Sequence, residues 1–113
     1  MSEIIARSEW PEFLRSYTQK NNGRPTRLGV FEKRDGFFDD YWLEDGLRLI
    51  GVDVDQHDDR TRIEIVLENY THSVGDANEV RFINNPNTGE EGLDILEKNE
   101  STTVLRFENV KTS

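Results

Sequence analysis

The residues best equipped for chemistry in this chain are two histidines and a run of carboxylates. His57 lies among Asp53, Asp55, Asp58 and Asp59. Hard cations such as Ca²⁺ take several oxygen ligands converging on one point, and a loop of alternating carboxylates can supply them. The segment nevertheless lacks the turn glycine and distal glutamate of an EF-hand loop. Asp53 and Asp55 also alternate with Val52 and Val54, as solvent-facing strand residues do. A solvated hairpin tip therefore accounts for the cluster. His72 is flanked by Thr71 and Ser73. A general base needs an orienting partner and a nucleophile or water within reach, whereas adjacent strand residues point to opposite faces. Only a carboxylate distant in sequence could complete a triad. His57 and His72 together match no two- or three-histidine metal spacing. No catalytic, cofactor or metal site is read from these residues.

A different kind of chemistry is offered by Phe37, Phe38, Tyr41 and Trp42, the densest aromatic stretch, interrupted by Asp39 and Asp40. Consecutive aromatics on a strand cannot all face one core. Two readings follow: a small cluster packed under a hairpin, or an interaction surface for a protein partner or a second copy of the chain. Phosphate-cradling glycine motifs and the nucleophile-elbow pattern are absent. The chain has no cysteine, which excludes disulfides, thiolate catalysis and cysteine-held zinc or iron–sulfur sites.

Composition sets the frame for these groups. The chain has 113 residues, 34% hydrophobic and 33% charged, a size that one domain over residues 1–113 accounts for. Six Phe, two Trp and three Tyr supply large buriable area despite the lean apolar share. The net charge is −9, and no Lys/Arg run interrupts it. Such a field disfavours nucleic acid and anionic membranes as partners, and leaves open a protein that occupies a basic partner by mimicking nucleic acid. No window approaches the ~20 apolar residues of a membrane span, and no leader-like stretch opens the chain. A cytoplasmic location is expected.

The elements that must position the candidates follow from periodicity. Trp10, Phe13, Leu14 and Tyr17 form one apolar stripe at helical spacing. Ser8 is the expected N-cap, Pro11 lies in the first turn, and Asn21-Asn22-Gly23 supplies a left-handed stop. This predicts a helix over 9–20, with Ile4 and Ile5 extending its buried surface. After Pro25 the period becomes two. Strands are expected over 27–32, 37–43, 47–54 and 60–67, with turns at Asp35-Gly36 and Glu44-Asp45-Gly46. The alternation changes parity between Leu49 and Val52, so a β-bulge is predicted at Ile50-Gly51. Shorter strands are expected at 71–74 and 79–83, a surface loop over 84–92, and a final hairpin over 92–109. The resulting fold class is α+β, an N-terminal amphipathic helix packed on a mainly antiparallel twisted sheet of five to seven strands.

The runs Ser8-Glu9-Trp10-Pro11-Glu12-Phe13-Leu14 and Leu47-Arg48-Leu49-Ile50-Gly51-Val52, then Asp55, Thr71-His72 and Thr102-Thr103-Val104-Leu105-Arg106-Phe107, carry a resemblance. They resemble a family of small bacterial proteins known only as a domain of unknown function. The resemblance implies a bacterial single-domain protein and carries no activity or site residue with it. Two functional readings stand at this point. One is a non-enzymatic interaction or structural module using the surface around Phe37, Phe38, Tyr41 and Trp42. The other is a hydrolase-like or metal-dependent enzyme using His72 or the carboxylates Asp53, Asp55, Asp58 and Asp59.

Overall fold

In the computed structural model the backbone is described for residues 2–34, 37–57 and 60–108, and side chains for those residues except 33, 34, 37–41 and 57. Eight strands and one helix follow in chain order: β1 (Ser2–Ile5), α1 (Trp10–Asn21), β2 (Pro25–Arg34), β3 (Phe37–His57), β4 (Arg60–Leu67), β5 (Tyr70–Val74), β6 (Ala77–Asn85), β7 (Glu90–Glu97) and β8 (Thr102–Phe107). They form a single antiparallel sheet in the order β1-β6-β7-β8-β2-β3-β4-β5.

This order carries a geometric demand. β5 is one edge, and β6 stands next to the other edge. In a flat sheet the two would lie roughly 29 Å apart at the usual strand spacing. They are joined by Gly75-Asp76 alone, a link that spans about 11 Å at full extension. The sheet must therefore curl until its far strands meet, and β4 does come into contact with β6. The inner faces of β2, β3, β4, β6, β7 and β8 then share one core, including Leu28, Leu49, Ile63, Ile65, Val80, Leu93 and Leu105.

The expected α+β arrangement is corrected by these observations. Among the described residues the chain is mostly sheet, with eight strands rather than five to seven and one α-helix of 12 residues. Trp10, Leu14 and Tyr17 do form its buried stripe, but they enter the core that the curled sheet encloses, rather than a layer on an open sheet. Burial of each such side chain stabilises by about 1.5–3 kcal/mol. Ile4 and Ile5, expected to extend the helix's buried surface, lie on the edge strand β1 paired with β6, where Ile5 packs on the core and Ile4 is exposed.

Two local expectations also change. A 3₁₀ turn, Arg7–Glu9, closed by the Glu9 N–H on the Ala6 carbonyl at 2.8 Å, precedes α1. The capping position thereby moves from Ser8 to Glu9, which makes no side-chain cap bond. Glu44-Asp45-Gly46 is no turn. β3 continues through it as one 21-residue strand, bent by extra residues opposite β2, with Gly46 at φ +98°. Bulges bend a strand and raise its twist, so one strand can pair with β2 along its first half and β4 along its second.

The bulge expected at Ile50-Gly51 is present, as a register shift between the Leu49–Leu67 and Gly51–Val66 pairs. It is also where α1 is fastened. The Val52 N–H donates to the Thr18 hydroxyl at 3.0 Å, and Asn22 Nδ2 donates to the Ile50 carbonyl at 2.8 Å. A Cβ on Gly51 would stand 3.1 Å from the Thr18 methyl, so a bare backbone allows this approach. The loop expected over 84–92 is shorter than read, because β6 runs to Asn85 and β7 begins at Glu90.

Candidate functional site

Pairing β2 with both β3 and β8 sets Gly29 between Trp42 and Val104. Arg27 and Phe31 stand two positions to either side of Gly29 on β2 and share its face of the strand. The Arg27 guanidinium lies over the Trp42 ring, 4.1 Å from its centroid. Trp42 is 42% exposed and Phe31 36%. They line a groove of about 860 Å³ whose rim carries Asp45, Glu90 and Glu108. Arg27 Nε has no hydrogen bond, and the Asp45 carboxylate stands 3.5 Å away without the alignment of one. Asp45 and Glu108 sit side by side. A hydrogen bond to Asp45 is the main cause that raises the pKa of Glu108, followed by burial and the Asp45 charge, against the charge of Arg27. Of the four aromatics singled out by sequence, only Trp42 can be placed this way. The side chains of Phe37, Phe38 and Tyr41 lie outside the described residues.

Of the acidic cluster, Asp53 and Asp55 are exposed on β3, opposite Glu64 and Arg62 of β4. Asp58, Asp59 and the side chain of His57 lie outside the described residues. Among the described residues no three of His, Asp or Glu stand together as metal ligands would.

His72 is brought against β8 by the curl of the sheet. Its Nε2 is 3.2 Å from the Thr103 hydroxyl, and burial lowers its pKa from 6.5. The two line a niche of about 180 Å³ with Glu32, Glu97, Asn99 and Ser101. The Glu97 carboxyl is raised, first by burial and then by Asp76 and Glu32, against a hydrogen bond with Asn99. Thr103 is only 2% exposed, so the hydroxyl beside His72 Nε2 is a buried wall group rather than a presented nucleophile.

A third concavity was not foreseen. Between α1 and the strands β1, β6, β7 and β8 lies a cleft of about 360 Å³. Phe13 and Tyr17 of the helix stripe meet Phe82 of β6 and Phe107 of β8. Ring centroids are 5.9 Å apart for Phe13–Phe82, 6.2 Å for Tyr17–Phe82 and 5.9 Å for Tyr17–Phe107. The Tyr17 hydroxyl is shielded from solvent and has no hydrogen-bond partner. Burial, and after it the charge of Glu91, push the phenol's pKa up, against Arg24 and Arg106.

With the fold and its concavities defined, known proteins can be compared. The chain is similar in fold to the YojF protein of Bacillus subtilis. The crystal structure of that protein superposes with a TM-score of 0.57 at 7% identity, covering 99% of this chain and 97% of that one. At this identity the likeness concerns the fold alone. No family model matches the chain, and no curated protein matches it. The family resemblance drawn from sequence therefore stands only as a structural likeness to a bacterial protein. No helix among the described residues is long and apolar enough to cross a membrane.

Sequence reading named Trp42 but missed Arg27 and Phe31 beside it, because their proximity is a matter of β2–β3 register. It placed Phe13, Tyr17 and Phe107 in elements facing the core. Their meeting with Phe82 around a cleft depends on the approach of β1 and β6 to the helix, for which the sequence carries no signal.

Proposed function

We propose that the protein is a non-enzymatic interaction module whose partner is a basic protein segment bound across the Trp42 groove. The observation that supports this most is the exposed Trp42–Phe31 pair with Arg27 laid over the indole. Aromatic anchors flanked by arginine are the groups that dominate binding energy in protein interfaces. Of the aromatic stretch Phe37, Phe38, Tyr41 and Trp42 on β3, Trp42 alone carries this reading. The rim sets the partner's charge: Asp45 and Glu108 are neighbouring carboxyl groups that Arg27 offsets in part, and a lysine or arginine from a partner adds to that offset. The net charge of −9 steers cationic partners inward and sets two copies of the chain against each other.

The test is selection from a random peptide library displayed on phage. Wild-type protein is expected to enrich peptides that set Lys or Arg beside an aromatic or aliphatic anchor, and Trp42→Ala is expected to lose them. Enriched peptides that bind Trp42→Ala equally well would overturn the proposal. So would sedimentation showing a dimer that Trp42→Ala dissociates, since the groove would then be occupied by a second copy.

A further inference from the structure

We propose that the cleft beside α1 is a binding site for a small, uncharged, ring-containing molecule that bears a carbonyl oxygen. Its volume of about 360 Å³ is that of a small-molecule pocket rather than a packing defect. The walls are rings inclined to one another, Phe13 and Phe82 at 64° and Tyr17 and Phe82 at 87°. Such a box presents both faces and edges, so a guest ring finds edge-to-face contacts at the 4.5–7 Å spacing that such pairs prefer. Phe13 and Phe82 are only partly buried, which lets their edges yield to an entering ring.

The Tyr17 hydroxyl decides the polar part. Tyr17 is 6% exposed, and its hydroxyl makes no hydrogen bond and meets no solvent. A buried donor left unmade costs about 1–3 kcal/mol, so the site is poised for an acceptor. The phenol stays protonated at neutral pH, which makes it a donor. Glu91, the nearest acid on the wall, is held instead by Arg24 at 2.9 Å, and that guanidinium lies 4.2 Å over the Phe107 ring. The remaining charged lining groups, Lys20 and Glu3, have opposite signs and so favour an uncharged guest. A ring supplies the apolar contacts, and its carbonyl reaches the shielded hydroxyl once the partly buried Phe13 or Phe82 yields.

The experiment is an NMR titration of the amide spectrum with acetophenone, and with α-methylstyrene, which has the same shape but lacks the oxygen. Acetophenone is expected to shift amides of α1, β6 and β8 around the cleft. Tyr17→Phe keeps the ring and is expected to weaken acetophenone roughly three- to tenfold, the worth of one net hydrogen bond, while leaving α-methylstyrene unchanged. Ser16→Trp, on the exposed face of the helix at the cleft's wall, is expected to abolish binding of both probes. Trp42→Ala is expected to bind acetophenone like the wild type, which separates this site from the groove. Absence of cleft shifts up to the solubility of both probes overturns the proposal. Equal affinity of Tyr17→Phe and wild type for acetophenone does so too.

Discussion

At the scale of single residues, His72 shows how neighbours decide chemistry. Sequence set it beside Thr71 and Ser73, neither of which it can use; the hydroxyl it meets is Thr103, 31 positions away. Its burial has a measurable consequence. The folded pKa lies below the unfolded value of 6.5, so between the two the unfolded chain binds more protons. The stability tied to neutral His72 is present above pH 6.5 and is lost as pH falls through the folded value. Glu32 and Glu97 face the same niche. Glu97 works in the opposite sense: its raised pKa means that the folded state takes up a proton first, so stability is gained as pH falls through its folded value. Denaturant unfolding at pH 7.5 and 5.5 is therefore expected to show a loss of stability that His72→Gln reduces. An unchanged loss in that variant would assign the slope to other groups.

At the scale of elements, the helix stripe, the β4 alternation and the Ile50-Gly51 bulge were legible because each is a local consequence of side-chain period. Ile63, Ile65 and Leu67 are buried as that alternation requires. The continuity of β3 was not legible. Glu44-Asp45-Gly46 has the composition of a turn, and only pairing with β2 on one side and β4 on the other turns it into a bulge within a long strand. Gly92 was equally silent, reading as the end of a surface loop. In the fold it pairs with Arg106, and a Cβ there would stand 1.8 Å from the Leu105 carbonyl oxygen, which is backbone and cannot swing away. Gly92→Ala must push β7 from β8, and is expected to cost about 1–3 kcal/mol or more by denaturant unfolding. A cost within a few tenths of a kcal/mol would show that the two strands can separate freely at this point.

At the scale of the whole molecule, charge and closure dominate. A net charge of −9 on 113 residues stores self-repulsion that added salt screens, with a Debye length of about 30 Å at 0.01 M and about 8 Å at 0.15 M. Thermal unfolding is expected to shift upward between these ionic strengths; a flat response would mean that local pairs such as Arg106–Asp94, at 2.8 Å, already offset the repulsion. The sequence by itself determined the acidic field, the absence of thiol chemistry, the helix stripe, the alternating strands and the change of parity in β3, all carried by residue type and short-range period. Tertiary structure alone decided that eight strands curl until β5 and β6 are joined by two residues. It also decided that the helix stripe enters the enclosed core, that Arg27 covers Trp42, that Phe13, Tyr17, Phe82 and Phe107 meet at one cleft, and that the Tyr17 hydroxyl is left without a partner. The physical reason is that strand register and sheet closure depend on pairings between distant segments, where many pairings satisfy the same alternation and only simultaneous burial of every apolar face selects one.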